Sequence, residues 1–104
     1  MAIKLINENE KLVYEYEESK IFYRRITLAE AQNLEKRCVD RKNRRDNEKA
    51  VKLRLEHCVL GWEGVKGDDD NDLPFKKEYL EFLPGDIQLD LIKLTDSASG
   101  ELNL

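Results

Sequence analysis

The chain has 104 residues, 38% of them charged and 40% apolar, with a formal net charge of −4. This length suits one hydrophobic core, and the grouping of apolar residues into periodic segments argues against a disordered chain. No apolar run approaches the roughly 20 residues that span a bilayer, and the apolar start Met1–Ile6 is too short for a secretory leader, so a cytoplasmic protein is expected.

Residues 2–6 suit a short strand, interrupted by the turn-rich stretch from Asn7 to Glu10. Leu12–Tyr16 and Ile21–Ile26 are rich in β-branched and aromatic residues, with Glu17-Glu18-Ser19-Lys20 between them, and read as a β-hairpin. A lone hairpin is barely stable in water, so its apolar face must rest on helices.

Thr27-Leu28-Ala29-Glu30 has the form of a capping box and predicts a helix with Leu28, Ala31, Leu34 or Glu35, and Cys38 on one face. Lys42–Asn47 contains no apolar residue, so it either separates two helices or bridges one long one. Val51, Leu55, Cys58, Val59 and Trp62 then form a helical stripe, with Gly61 and Gly64 where such a helix would stop.

From Val65 to Asp72 an acidic loop is expected, followed by an extended Leu73-Pro74-Phe75. A two-turn helix over Lys76–Leu83 would turn Tyr79, Leu80 and Leu83 inward. Pro84-Gly85-Asp86 breaks it, and a last helix over about Asp86–Leu94 would place Ile87, Leu91 and Leu94 on one side. The whole reads as an α+β domain over residues 1–96: an N-terminal β-hairpin or small antiparallel sheet packed on a bundle of three to four helices. Residues 97–104 read as a disordered tail.

Groups suited to catalysis are sparse. The single histidine, His57, sits between Glu56 and Cys58, which on a helix point about 100° away to either side, so no aligned dyad forms among them. Cys38 and Cys58 lack the spacing of a metal site and read as reduced thiols packed against a core. Asp68, Asp70 and Asp72 match the first, third and fifth positions of a calcium loop, but Leu73 stands where the turn needs glycine and Tyr79 where a bidentate glutamate belongs. No catalytic residue, metal ligand or cofactor is expected.

The charge is unevenly distributed. Nine basic residues and three acids lie between Lys36 and Arg54, so that stretch carries +6 and the remainder −10. Such opposition suits self-association or docking on a charged partner. Arg41, Arg44, Arg45, Lys49 and Lys52 are the candidates for protein contact. A nucleic-acid-binding regulator using residues 36–54 is the alternative, with phosphates as its target, but no aromatic residue lies between Tyr23 and Trp62 to stack on bases.

Two segments taken in order carry a family resemblance. Phe22-Tyr23-Arg24-Arg25-Ile26-Thr27-Leu28-Ala29-Glu30 is a strand with a basic pair that runs into a capped helix. Val59-Leu60-Gly61-Trp62-Glu63-Gly64-Val65 is followed by an acidic loop, by Leu73-Pro74-Phe75 and by Tyr79-Leu80-Glu81-Phe82-Leu83. This order resembles the tail assembly chaperones of tailed phages and prophages, over most of residues 12–94. The charged stretch 36–54 and the lack of glycine within Asp68–Asp72 depart from that pattern. The resemblance implies a non-enzymatic role in tail assembly inside a bacterial host, with tape-measure or tail-tube subunits as partners; an unpaired edge of the hairpin makes a homo-oligomer a further option. Gly61, Trp62, Gly64, Pro74 and Phe75 would form its structural turn, with the Trp62 indole reaching a backbone carbonyl.

Overall fold

A computed structural model describes residues 10–96; the strand expected at residues 2–6 and the tail expected at 97–104 lie outside the described residues. Strands β1 (Leu12–Tyr16) and β2 (Ser19–Tyr23) form an antiparallel hairpin in which Leu12 faces Tyr23 and Tyr16 faces Ser19. The connection is tighter than the expected four residues. Only Glu17 and Glu18 lie outside the strands, and Glu17 adopts a φ of 53° to close the turn. Strand pairing therefore captures Ser19 and Lys20, whose polar side chains do not mark them as strand residues.

Helix α1 (Leu28–Arg37) begins with the predicted box: the Thr27 hydroxyl accepts from the Glu30 amide at 3.2 Å, and Glu30 Oε1 accepts from the Thr27 amide at 3.1 Å. Its inward face is narrower than expected. Leu34 and Cys38 are buried and Ala31 is partly so, but Leu28, in the first turn, is 68% exposed. Residues 39–46 leave the helix, so the polar stretch separates α1 from α2 (Asn47–Cys58).

The predicted helical stripe ends early. After Cys58 the chain becomes strand β3 (Val59–Glu63), antiparallel to β2, and completes a three-stranded sheet of order β1-β2-β3. Val59 and Trp62 are three residues apart, which in a regular strand would send them to opposite faces. The register shifts here: Phe22 faces Gly61 and Tyr23 faces Val59, leaving Leu60 as the extra residue of a β-bulge. Val59 and Trp62 are thus both buried, while Leu60 is 46% exposed. The same spacing that mimics a helix is met by a strand with an insertion.

Beyond the acidic loop come a 3-10 helix (Lys77–Phe82) and α3 (Gly85–Thr95). Helix α2 packs against α1, the 3-10 helix and α3, so the architecture is α+β, a small antiparallel sheet on a set of helices. The main core joins Ile21, Tyr23, Val59 and Trp62 of the sheet to Leu55, Leu80, Ile87 and Leu91, with Tyr79 and Leu83 packed against it. The inward row of α3 continues to Thr95, which is fully buried, and not to Leu94, which is 41% exposed. Steps of four from Ile87 through Leu91 reach position 95, and the Thr95 hydroxyl is satisfied by donating to the Ile92 carbonyl at 3.0 Å.

Candidate interaction surface

The loop between α1 and α2 carries the basic residues on a built frame. Val39 and Arg45 form an antiparallel bridge, the Asp46 amide donates to the Cys38 carbonyl at 2.8 Å, and the Asp40 amide to the Arg44 carbonyl at 2.9 Å. Asn43 takes the left-handed φ of 62° that lets so short a loop reverse, a conformation asparagine tolerates. The Asp40 carboxylate fills the turn, accepting from the amides of Lys42 and Arg44 and from Arg44 Nε at 3.1 Å. Those donors, with the Arg44 amide foremost, hold its carboxyl below the ordinary aspartate range. Asp46 caps α2 by accepting from the Lys49 amide, and Arg45 pairs with Glu35 and Asn47.

Asp40 and Asp46 are thus turned toward their own backbone, Asp40 also holds Arg44 and Glu35 holds Arg45, while Glu48 is exposed beside Lys49. Arg41, Arg44, Arg45, Lys49 and Lys52 are all exposed. Arg44, Arg45 and Lys49, together with Arg37, line a recess of about 240 Å³. Lys49 and Lys52 also line a wider, open groove of about 950 Å³ between α2 and the corner where the 3-10 helix meets α3. Arg41 lines neither and sits in the turn closed by the Asn43 amide on the Asp40 carbonyl. Asp46 and Lys49 belong to both depressions, so the recess and the groove adjoin at the N-terminal end of α2.

The residues assigned to a turn do different work. Gly61 lies within β3, where a Cβ would meet nothing within 4 Å. Trp62 is a buried strand residue whose Nε1 donates to the Leu73 carbonyl at 2.8 Å, as its indole was expected to do, and whose ring meets Phe75 edge-on at 5.0 Å. Gly64 makes the turn, at a φ of 71°, where a Cβ would lie 2.5 Å from the Glu18 carbonyl oxygen. Pro74 is exposed beside Phe75 in a link that is neither helix nor strand. The acidic loop closes on itself through a Lys66–Asp72 bridge, with Asp69 accepting from the Asn71 amide and side chain.

One cluster has no signal in the sequence. Arg24, just beyond β2, donates to both Glu30 oxygens, at 3.1 and 2.6 Å, and His57 Nε2 lies 2.5 Å from Glu30 Oε2 and 2.8 Å from Arg24 Nη2. With a proton on Nε2 the imidazole donates to Glu30; without one it accepts from Arg24. The Thr27–Glu30 box is legible locally, but its further partners come from the residue that follows β2 and from a residue 27 positions away. Cys58, next in the chain, is fully buried, and burial pushes its thiol up to about 11. It is held as the protonated thiol and not as the nucleophilic thiolate.

No family model, curated protein or solved structure matches the chain. Among the described residues no helix is long and apolar enough to cross a membrane.

Proposed function

We propose that this protein is a non-enzymatic assembly factor that docks other proteins through its basic corner, in the manner of a tail assembly chaperone acting in the cytoplasm of a bacterial host. The observation that carries this reading is the exposed basic loop at residues 39–46, held in one shape by its own hydrogen bonds on an otherwise acidic chain. A preformed charged surface speeds encounter and selects complementary partners without demanding great affinity. The tape-measure protein and tail-tube subunits are the partners that fit the resemblance.

The nucleic-acid alternative has less support. Tyr23 and Trp62, which flank the basic stretch in sequence, are both buried in the core and offer no face to a base.

Co-expression of the tagged chain with tape-measure and tail-tube subunits encoded beside its gene tests the proposal. A complex is expected, weakened by salt and by joint charge reversal of Arg41, Arg44 and Arg45, with circular dichroism to establish that the variant folds. A folded chain that binds neither subunit, but shifts DNA or RNA in a strongly salt-dependent way, would overturn it.

A further inference from the structure

We infer that two copies of this chain pair edge to edge, β1 against β1, antiparallel and centred on Val13, so that their sheets become one. This pairing does not depend on the docking reading above.

The sheet has two edges of different kinds. β3 is interrupted by the bulge at Leu60, a device that spoils continued pairing. β1 keeps an unbroken register with β2 from Leu12 to Tyr16 and, among the described residues, has a strand on one side only. Its backbone phase follows from its neighbours. Just beyond β2, the Arg24 amide turns to the Cys58 carbonyl on the β3 side, and the Arg25 amide turns to Glu10 on the β1 side. Amides alternate along a strand, so Ser19, Ile21 and Tyr23 bond to β1, where their partners are Tyr16, Tyr14 and Leu12. The two-residue turn agrees, since it closes on a hydrogen-bonded Tyr16–Ser19 pair. Val13 and Glu15 therefore point their N–H and C=O groups away from the sheet, as does Lys11 one step before the strand.

A second copy of β1 can bond only where outward groups meet outward groups. Such registers are centred on Lys11, on Val13 or on Glu15. The first and last put like charges face to face, which is destabilising. Centring on Val13 instead sets Lys11 of each copy opposite Glu15 of the other, twice by symmetry, with the Val13 pair between them. These side chains share the outer sheet face: Val13 stands opposite Phe22, Glu15 opposite Lys20, and the Lys11 ammonium lies 4.3 Å from the centre of the Phe22 ring. Lys11 and Glu15 are exposed and Val13 is 46% exposed, so the pairing groups stand in water in the single chain. On the inner face Leu12 meets Tyr14 of the other copy, both of which pack against the main core of their own chain. The joint ladder amounts to about six backbone hydrogen bonds. So narrow a contact suits a reversible dimer.

Sedimentation velocity of the full-length chain, from low to high micromolar concentration, tests the pairing. A monomer–dimer equilibrium is expected. Lys11→Glu and Glu15→Lys should each weaken self-association about tenfold, because the symmetry repeats the repulsion. Mixed together, the two variants should form a heterodimer, since every facing pair is then opposite in charge. Val13→Pro removes an outward amide without touching the bonds to β2, and should leave a folded monomer, with circular dichroism to establish the fold.

A chain that stays monomeric at every concentration would overturn the inference. So would a dimer that Val13→Pro leaves intact, or charge variants that fail to combine on mixing. Slow hydrogen exchange at the Val13 and Glu15 amides of a monomer would overturn it as well, and would make the chain's own N-terminal residues the cover of this edge.

Discussion

At Glu30 one carboxylate ties together three parts of the chain: Arg24 beyond β2, the N-cap of α1, and His57 on α2. Arg24, then His57 and Thr27, hold its carboxyl well below the ordinary glutamate value, against a burial that pushes it up. The fold thus favours the charged form, so the stabilisation is complete above the unfolded pKa of 4.5 and is lost as pH falls below it. Glu30→Gln keeps an acceptor for the cap but removes the charge; it is expected to cost about 1–3 kcal/mol at pH 7, since Arg24 and His57 lose their anion. Urea unfolding at pH 7 and pH 3 checks this: the gap between variant and parent should narrow in acid, and an equal gap at both pH values would refute the ionic account. A second contrast separates two glycines that look alike in the Gly61-Trp62-Glu63-Gly64 motif. Gly64→Ala forces a Cβ onto the Glu18 carbonyl at a positive φ, and should cost more than about 1 kcal/mol. Gly61→Ala enters open space and should stay within about 0.5 kcal/mol of the parent.

Among the elements, those specified by nearby residues, the β1–β2 hairpin included, are legible in the sequence, and the strand specified by pairing with a distant segment is not. The Thr27 box and the break at Pro84 act within a few residues, and each appears where it is expected, as does the β-rich segment of β1. The residues of strand β3 read as the end of a helix because Val51, Leu55, Cys58, Val59 and Trp62 keep helical spacing throughout. Only pairing with β2, which lies far back in the chain, reveals that a bulge serves the last two of them. The basic candidates were legible as a charged stretch, but the groove beside them needs Leu80 and Leu89 from elements some thirty residues further on. Threonine scanning of the bulge checks its geometry. Val59→Thr buries an unpartnered hydroxyl and should cost about 1–3 kcal/mol. Leu60→Thr changes an exposed, bulged side chain and should remain within about 0.5 kcal/mol, as read from thermal or urea midpoints.

Across the whole molecule, α2 joins two apolar clusters that would otherwise be separate. Leu55 belongs to the main core with the sheet and α3, whereas Cys58, one turn on, packs with Ile26 and Leu34 beneath α1. The segment after β2 stitches the clusters at backbone level: the Arg24 amide donates to the Cys58 carbonyl at 2.9 Å, and the Ile26 amide to the Thr95 carbonyl at 2.8 Å. Ile26 itself is only 1% exposed, so its amide is shielded and its partner lies at the far end of the described chain. If these links make the domain one cooperative unit, injury to the smaller cluster must weaken the larger one. Ile26→Ala is therefore expected to cost about 2–5 kcal/mol and Leu55→Ala a similar amount, each lowering a single shared transition. Hydrogen exchange gives the sharper reading, because locally opening amides exchange ahead of global unfolding. The Arg24 and Ile26 amides should exchange as slowly as those of β2, and Ile26→Ala should accelerate both sets together. Fast exchange at Ile26 with β2 still protected would mean that α1 and its cluster open alone, leaving the sheet, α2 and α3 as the cooperative core.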